Sequence, residues 1–206
     1  MAALVAEKDV RAIVDASHPY ATQASANAKA VAEERGIPCL RWLRPAVLSR
    51  SGAVCRAADH PSAARLAFSF GRPVLLTTGS RNLAPYARES SRTGISLVVR
   101  VLSHPESIAA CERFGIPHER VLTGRGPFSM EDNLTVIRAF DIGVVVTKDS
   151  GAAGGVAEKL EAAAQENCRV VVVERPAVPS GAEIHDVEEL VRTLGEALTK
   201  DGPGVP

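Results

Sequence analysis

The feature that most constrains the fold is an alternation along the whole chain. Short apolar runs rich in Val, Ile and Leu are separated by segments of helical periodicity. The runs cover Val10–Ala16, Ile37–Leu43, Pro73–Thr78, Ile95–Leu102, Arg120–Thr123, Ile142–Thr147 and Arg169–Glu174. They lack polar alternation, as strands covered on both faces do. Helices are predicted at about 19–35, 61–70, 81–89, 105–114, 130–139, 152–166 and 186–199, which makes a parallel α/β sheet the expected architecture. Residues 44–60 read as loop with one short strand, and 201–206 as a frayed tail.

Local chemistry sharpens the boundaries. Pro19 suits the first position of a helix, where a missing N–H costs nothing. Gly36 followed by Pro38 suits a helix stop. Ser129 and Asp132 have capping-box spacing.

Two stretches resemble each other. Residues 13–47 and 144–178 both run strand, polar loop, Ala-rich helix, strand and Arg-Pro-Ala-Val, at an offset of 131 residues. This predicts two similar α/β halves, 1–90 and 91–200, joined near 88–94. A cleft between such halves is the usual place for a small ligand.

Composition narrows the function. The 206 residues carry 24 basic and 24 acidic side chains, so no face is forced to be strongly basic and nucleic acid is not the expected main partner. Aromatics at 4% also disfavour base stacking. Cys39, Cys55, Cys111 and Cys168 show no C-x-x-C spacing, which argues against structural zinc and dithiol chemistry. No run is long enough for a membrane span, and no secretory signal is visible. A cytoplasmic monomer is the expectation.

Four polar loops follow strands and precede helices: Asp15–Pro19, Thr77–Arg81, Thr123–Phe128 and Thr147–Gly155. In a parallel sheet such loops lie at the carboxyl edge, where open α/β sheets bind ligands. Thr77-Thr78-Gly79-Ser80-Arg81 combines a permissive glycine, hydroxyls and a cation, a set suited to an anion. Its structural alternative is a turn in which Ser80 caps the next helix. Thr147–Gly155 offers Lys148, Asp149 and Ser150 among three glycines, or else a cap from Asp149 or Ser150. In the first loop no acid follows Asp15 until Glu33, so the helix start keeps its positive end. His18 reads as an acid, a hydrogen-bond donor or a plain cap; Asp15 as a ligand-orienting group or the tie of its own turn. No Walker loop, G-x-S-x-G, H-E-x-x-H or complete G-x-G-x-x-G is present. The residues alone therefore reach an α/β protein that binds an anionic small molecule, and not a reaction.

Several motifs occur together and in order: "VDASHPYA…SANA", "RWLRP", "LLTTGS", "RVL", "GPFS…N", "VVTKDSGAAGG…K" and "VVVERP". They resemble the precorrin-6A reductase family, CobK in the aerobic route and CbiJ in the anaerobic one, over about residues 10–178. The resemblance implies α/β architecture with two similar Rossmann-like lobes and mainly parallel sheets. It also implies an oxidoreductase of cobalamin biosynthesis that reduces one double bond of a corrinoid precursor, with NADPH (or NADH) as hydride donor. A substrate rich in carboxylates would give Lys148, Arg81, Arg100 and the helix N-termini something to bind. Under this resemblance Ser17, Thr78, Gly79, Ser80 and Arg81 are expected on the cofactor side. Lys148, Asp149, Ser150 and Arg100 are expected on the substrate side, and Asp15 and His18 are the candidates for proton transfer. Members of the family begin with a strand and a Gly-Gly-Thr loop. Here the chain begins Met1-Ala-Ala-Leu-Val-Ala-Glu-Lys-Asp, so the first lobe is expected to be incomplete and turnover poor. The rival readings are a non-catalytic two-lobed protein holding an anionic small molecule or tetrapyrrole, and a methyltransferase, which lacks a visible glycine-rich methyl-donor loop.

Overall fold

The computed structural model describes residues 2–44, 54–151, 155–176 and 183–200. They form two compact units, one of residues 1–45 with 176–206 and one of residues 46–175.

The smaller unit holds helix α1 (Ala2–Glu7), strand β1 (Ile13–Asp15), helix α2 (Thr22–Arg35) and strand β2 (Cys39–Trp42). Near the C-terminus it adds a last short strand (Glu183–Ile184) and a last helix (Val187–Lys200). The three strands form a parallel sheet with β2 in the middle. Helix α2 starts at Thr22, so Pro19 stands in the turn before it rather than at its first position. Its Ala-rich face lets Ala28 and Ala32 pack closely, both almost fully buried. It stops at Gly36, whose φ of 65° is the left-handed geometry that a glycine adopts without a Cβ penalty.

The larger unit contains strand β3 (Val54–Ala57), helix α3 (His60–Ser69), strand β4 (Val74–Leu76), helix α4 (Ala84–Thr93) and strand β5 (Leu97–Val101). Helix α5 (Pro105–Arg113), strand β6 (Val121–Thr123), helix α6 (Met130–Ala139), strand β7 (Val144–Lys148), helix α7 (Val156–Gln165) and strand β8 (Arg169–Val173) follow. The six strands are all parallel, in the order β3-β8-β7-β4-β5-β6. The Val/Leu runs of β4, β5 and β7 are buried on both faces, which explains their missing alternation. Prolines open α3, α4 and α5 within their first two residues. Asp59 caps α3 by accepting from the Ser62 N–H at 2.7 Å, and Ser129 with Asp132 closes the capping box of α6.

The expected division near residue 90 does not hold. β4 and β5 lie on either side of that point and pair directly in one sheet. The internal similarity survives as two βαβ units, β1-α2-β2 and β7-α7-β8. It needs an adjustment of one residue, because Ile13 pairs with Cys39 whereas Val144 pairs with Arg169.

The strand order places a reversal between β4 and β7. From β4 the chain winds outward through α4 to β5, and from β7 it winds the opposite way through α7 to β8. Right-handed crossovers then put α4 and α7 on opposite faces. The loops after β4 and β7 separate at the carboxyl edge, which is where open α/β sheets form a binding crevice.

Candidate functional site

The loops after β4 and β7 meet at this reversal. Thr77 continues the sheet, its N–H and its hydroxyl both donating to the Val146 carbonyl at 2.9 Å. Lys148, at the end of β7, donates from Nζ to the Thr78 carbonyl at 3.2 Å and so ties the two loops together. Burial, and then the charge of Arg81, lowers the Lys148 pKa from its ordinary value. The Thr78 hydroxyl is buried with no hydrogen-bond partner. Gly79 has a φ of 85° and open space where a Cβ would point. Ser80 donates to the Ser107 hydroxyl at 3.2 Å, so it braces this loop against α5 and is not the cap of α4, which begins only at Ala84. Arg81 is exposed.

The loop after β7 is organised from below. Buried Asp149 accepts from Arg175 Nη2 at 3.3 Å and from the Gly151 N–H at 3.4 Å. Its own carbonyl accepts from Arg175 Nε at 3.0 Å. Ser150 is also buried, its N–H donating to the Lys148 carbonyl at 3.0 Å. Neither residue caps α7, which begins after Gly155 with no side-chain cap.

Beside this edge lies a cavity of about 210 Å³, with Thr77, Gly79, Arg100, Gly126, Phe128 and Lys159 in its wall. Arg100 is only 7% exposed despite its charge. It is held by a bond from Nη1 to Asn133 Oδ1 at 2.7 Å, and its guanidinium stacks on the Phe128 ring at 4.3 Å. Asn133 in turn donates to the Ser129 carbonyl at 2.7 Å, so the arginine is fixed from a second layer. Gly124 fits under the same ring, since a Cβ there would come within 2.9 Å of it. Burial pushes the Lys159 pKa down to about 8, and the charge of Arg100 adds to the effect against the opposing charge of Glu158.

In the smaller unit, Asp15 and Arg41 form a buried ion pair. Asp15 also accepts the Ser17 N–H at 3.0 Å and so ties down its own turn. Burial would raise the Asp15 pKa, but hydrogen bonds from Ser17, Ser25 and Arg41 outweigh it and hold the carboxyl below its usual value. A carboxylate kept ionised in this way anchors the loop; it does not suit the proton-donating role expected of it. The Ser17 hydroxyl accepts from Arg41 at 3.0 Å. Exposed His18 accepts the Tyr20 N–H on Nδ1 at 3.3 Å.

The structure thus joins Thr78 to Lys148 directly and seats Gly79 and Arg100 on one cavity in the larger unit. Asp15, Ser17 and His18 lie in the smaller one. Sequence reasoning gave no role to Arg41, Arg175, Phe128, Asn133 and Lys159, although each stands in one of the ordered motifs. The acid–arginine spacing of 26 residues, present in both βαβ units, was the available signal for the two arginines. For Lys159 the available signal was its place at the end of VVTKDSGAAGG…K; taken alone, a lysine in an Ala-rich helix reads as a solvated face. Also missed was His60, whose Nδ1 lies 2.9 Å from the Tyr86 hydroxyl. Burial, and then the charge of Lys148, lowers the His60 pKa to about 4. No described helix is long and apolar enough to cross a membrane, and no cluster of potential metal ligands occurs among the described residues.

Comparison with known proteins places this arrangement in context. A family model described as precorrin-6x reductase CbiJ/CobK matches residues 1–195. A cobalt-precorrin-6A reductase of Priestia megaterium is 31% identical over 195 residues, 94% of this chain and 76% of that one. A precorrin-6A reductase of Rhodococcus erythropolis is 33% identical over 197 residues, 95% of this chain and 75% of its own length. Among solved structures, a CobK precorrin-6A reductase superposes with a TM-score of 0.76 at 23% identity, covering 95% of this chain and 75% of that one, a likeness of fold. The chain belongs to the precorrin-6x reductase CbiJ/CobK family.

Proposed function

We propose that this protein reduces one double bond of a precorrin-6A or cobalt-precorrin-6A macrocycle in cobalamin biosynthesis, using NADPH or NADH. The observation that carries the reading is the family match across residues 1–195. The site chemistry supports it, because a substrate bearing many carboxylates suits an edge that gathers Arg100, Lys148 and Lys159.

When bound, a nicotinamide nucleotide supplies the hydride. The residues present fit such a group: the unpartnered Thr78 hydroxyl and the open Gly79 turn leave donors and space at the edge. Ser80, braced on Ser107, and Arg81 complete the cofactor-side set of the larger unit. Lys148 and Arg100 bind substrate carboxylates. Asp149 and Ser150 act from beneath, since both are buried and hold the loop that presents Lys148. Asp15 anchors its loop as an ionised group, and His18 remains the proton-handling candidate. The chain's contribution is then positioning and exclusion of water around two bound partners.

Incubating the protein with precorrin-6A, with and without NADPH and NADH, tests the reading. Loss of nicotinamide absorbance coupled to a colour change of the macrocycle is expected. Binding of the macrocycle with no turnover under either nucleotide would favour a non-catalytic carrier.

A further inference from the structure

Lys159 is a half-buried cation on α7. It reaches the cavity from α7, while Arg100 reaches the same cavity from β5. Two cations facing one partly buried space repel each other, and desolvation adds to the cost. Arg100 has no freedom to withdraw, being bonded to Asn133 at 2.7 Å and stacked on Phe128. The acids that act on the pair are Glu158 and Asp132. Asp132 is engaged in capping α6 through Ser129, at 2.9 Å to its N–H and 2.7 Å to its hydroxyl. The cavity, at about 210 Å³, has room for more than a single water molecule.

We propose that this cavity is an oxyanion subsite closed by Arg100 and Lys159, with Lys159 a specificity-determining residue for the bound partner. The oxyanion is either a carboxylate arm of the macrocycle or a phosphate of the dinucleotide. This rests on the reductase reading above. Arg100 supplies a fixed planar fork, and Lys159 supplies a compact charge from the opposite element. An arriving anion relieves the repulsion between them and restores full charge on Lys159.

The test is calorimetric titration of the whole protein with uroporphyrin, a polycarboxylate tetrapyrrole, with NADP+ and with inorganic phosphate. Wild type is compared with Lys159→Met, Lys159→Arg and the remote surface control Lys29→Met. Lys159→Met is expected to weaken uroporphyrin or NADP+ by about tenfold or more, the loss of one charge-assisted contact. Lys159→Arg should retain most of the affinity and Lys29→Met all of it. A loss confined to uroporphyrin assigns the subsite to a carboxylate, and one confined to NADP+ assigns it to a phosphate. Unchanged affinity of Lys159→Met for every probe overturns the proposal, as does a wild type that binds none of them. A wild type that ignores uroporphyrin, with an NADP+ affinity that still depends on Lys159, sinks the macrocycle reading and leaves the subsite standing.

Discussion

Asp15 and Arg41 are direct register partners on adjacent parallel strands and close a buried ion pair at the carboxyl ends of β1 and β2. Asp149 and Arg175 do the same work just beyond the ends of β7 and β8, again 26 residues apart. In each βαβ unit an acid at the first strand's exit is fixed by an arginine from the second strand's exit. Both pairs shape a polar loop rather than offering free charge to a ligand.

Removing one member of the first pair should be costly. Asp15→Asn leaves Arg41 buried and uncompensated, with an expected loss of about 3–5 kcal/mol in denaturant unfolding. Adding Arg41→Met should restore much of it. A single variant as stable as wild type would show that the pair is solvated in solution. Because the Asp15 pKa is lowered on folding, its contribution is complete above the unfolded value near 3.8 and is lost only as pH falls through the folded value.

Lys159 gives a slope of the same sign in a higher pH window, as a penalty removed rather than a contribution gained. Its pKa falls to about 8 in the folded chain from 10.5, so the unfolded state holds more protons between those values. Stability should therefore rise with pH across that window, and the penalty should be complete below it. Lys159→Met should raise the melting temperature at neutral pH, with the gain shrinking toward pH 10.5. Parallel melting curves across this range would check it; a constant offset would refute it.

His60 predicts a second window. With a folded pKa of about 4 against 6.5 unfolded, stability should decline as pH drops from 6.5 toward 4. His60→Gln should flatten that slope. Tyr86→Phe removes the hydroxyl bonded to His60 and should cost about 1 kcal/mol at neutral pH. Denaturant midpoints at several pH values would show both.

Thr78 separates ligand binding from folding. Its hydroxyl is buried without a partner, so Thr78→Val should be neutral or stabilising in the unliganded protein. If that hydroxyl meets the cofactor, the same change should weaken NADPH binding by about tenfold, a single hydrogen bond to a charged group. Unaltered NADPH affinity would remove Thr78 from the cofactor site.

Arg100→Lys tests the fixed fork. Lysine keeps the charge but loses the stack on Phe128 and the planar bond to Asn133. An increase in KM for the macrocycle of about tenfold, with kcat less affected, is expected from loss of binding shared by ground and transition states. A fall in kcat alone would place Arg100 nearer the reacting atoms.

The sequence by itself determined the element order. Runs such as Leu97–Val101 and Val144–Lys148 are so apolar that only doubly covered strands accommodate them, and Gly36 and Ser129 marked helix ends through local backbone chemistry. It also determined which loops fall at the carboxyl edge, because every strand of a parallel sheet shares one direction. Pairing was beyond it. That β4 joins both β5 and β7, across the expected boundary near residue 90, depends on contacts between distant segments that leave no periodic trace. The same holds for the site. Lys148 was legible because it ends an apolar run just before a glycine-containing stretch. Lys159 and Phe128 stood in the ordered motifs without a role; only the folding of α7 and of the loop after β6 over the end of β5 sets a half-buried lysine and an aromatic ring beside Arg100 in one cavity wall, because that adjacency joins segments far apart in the chain.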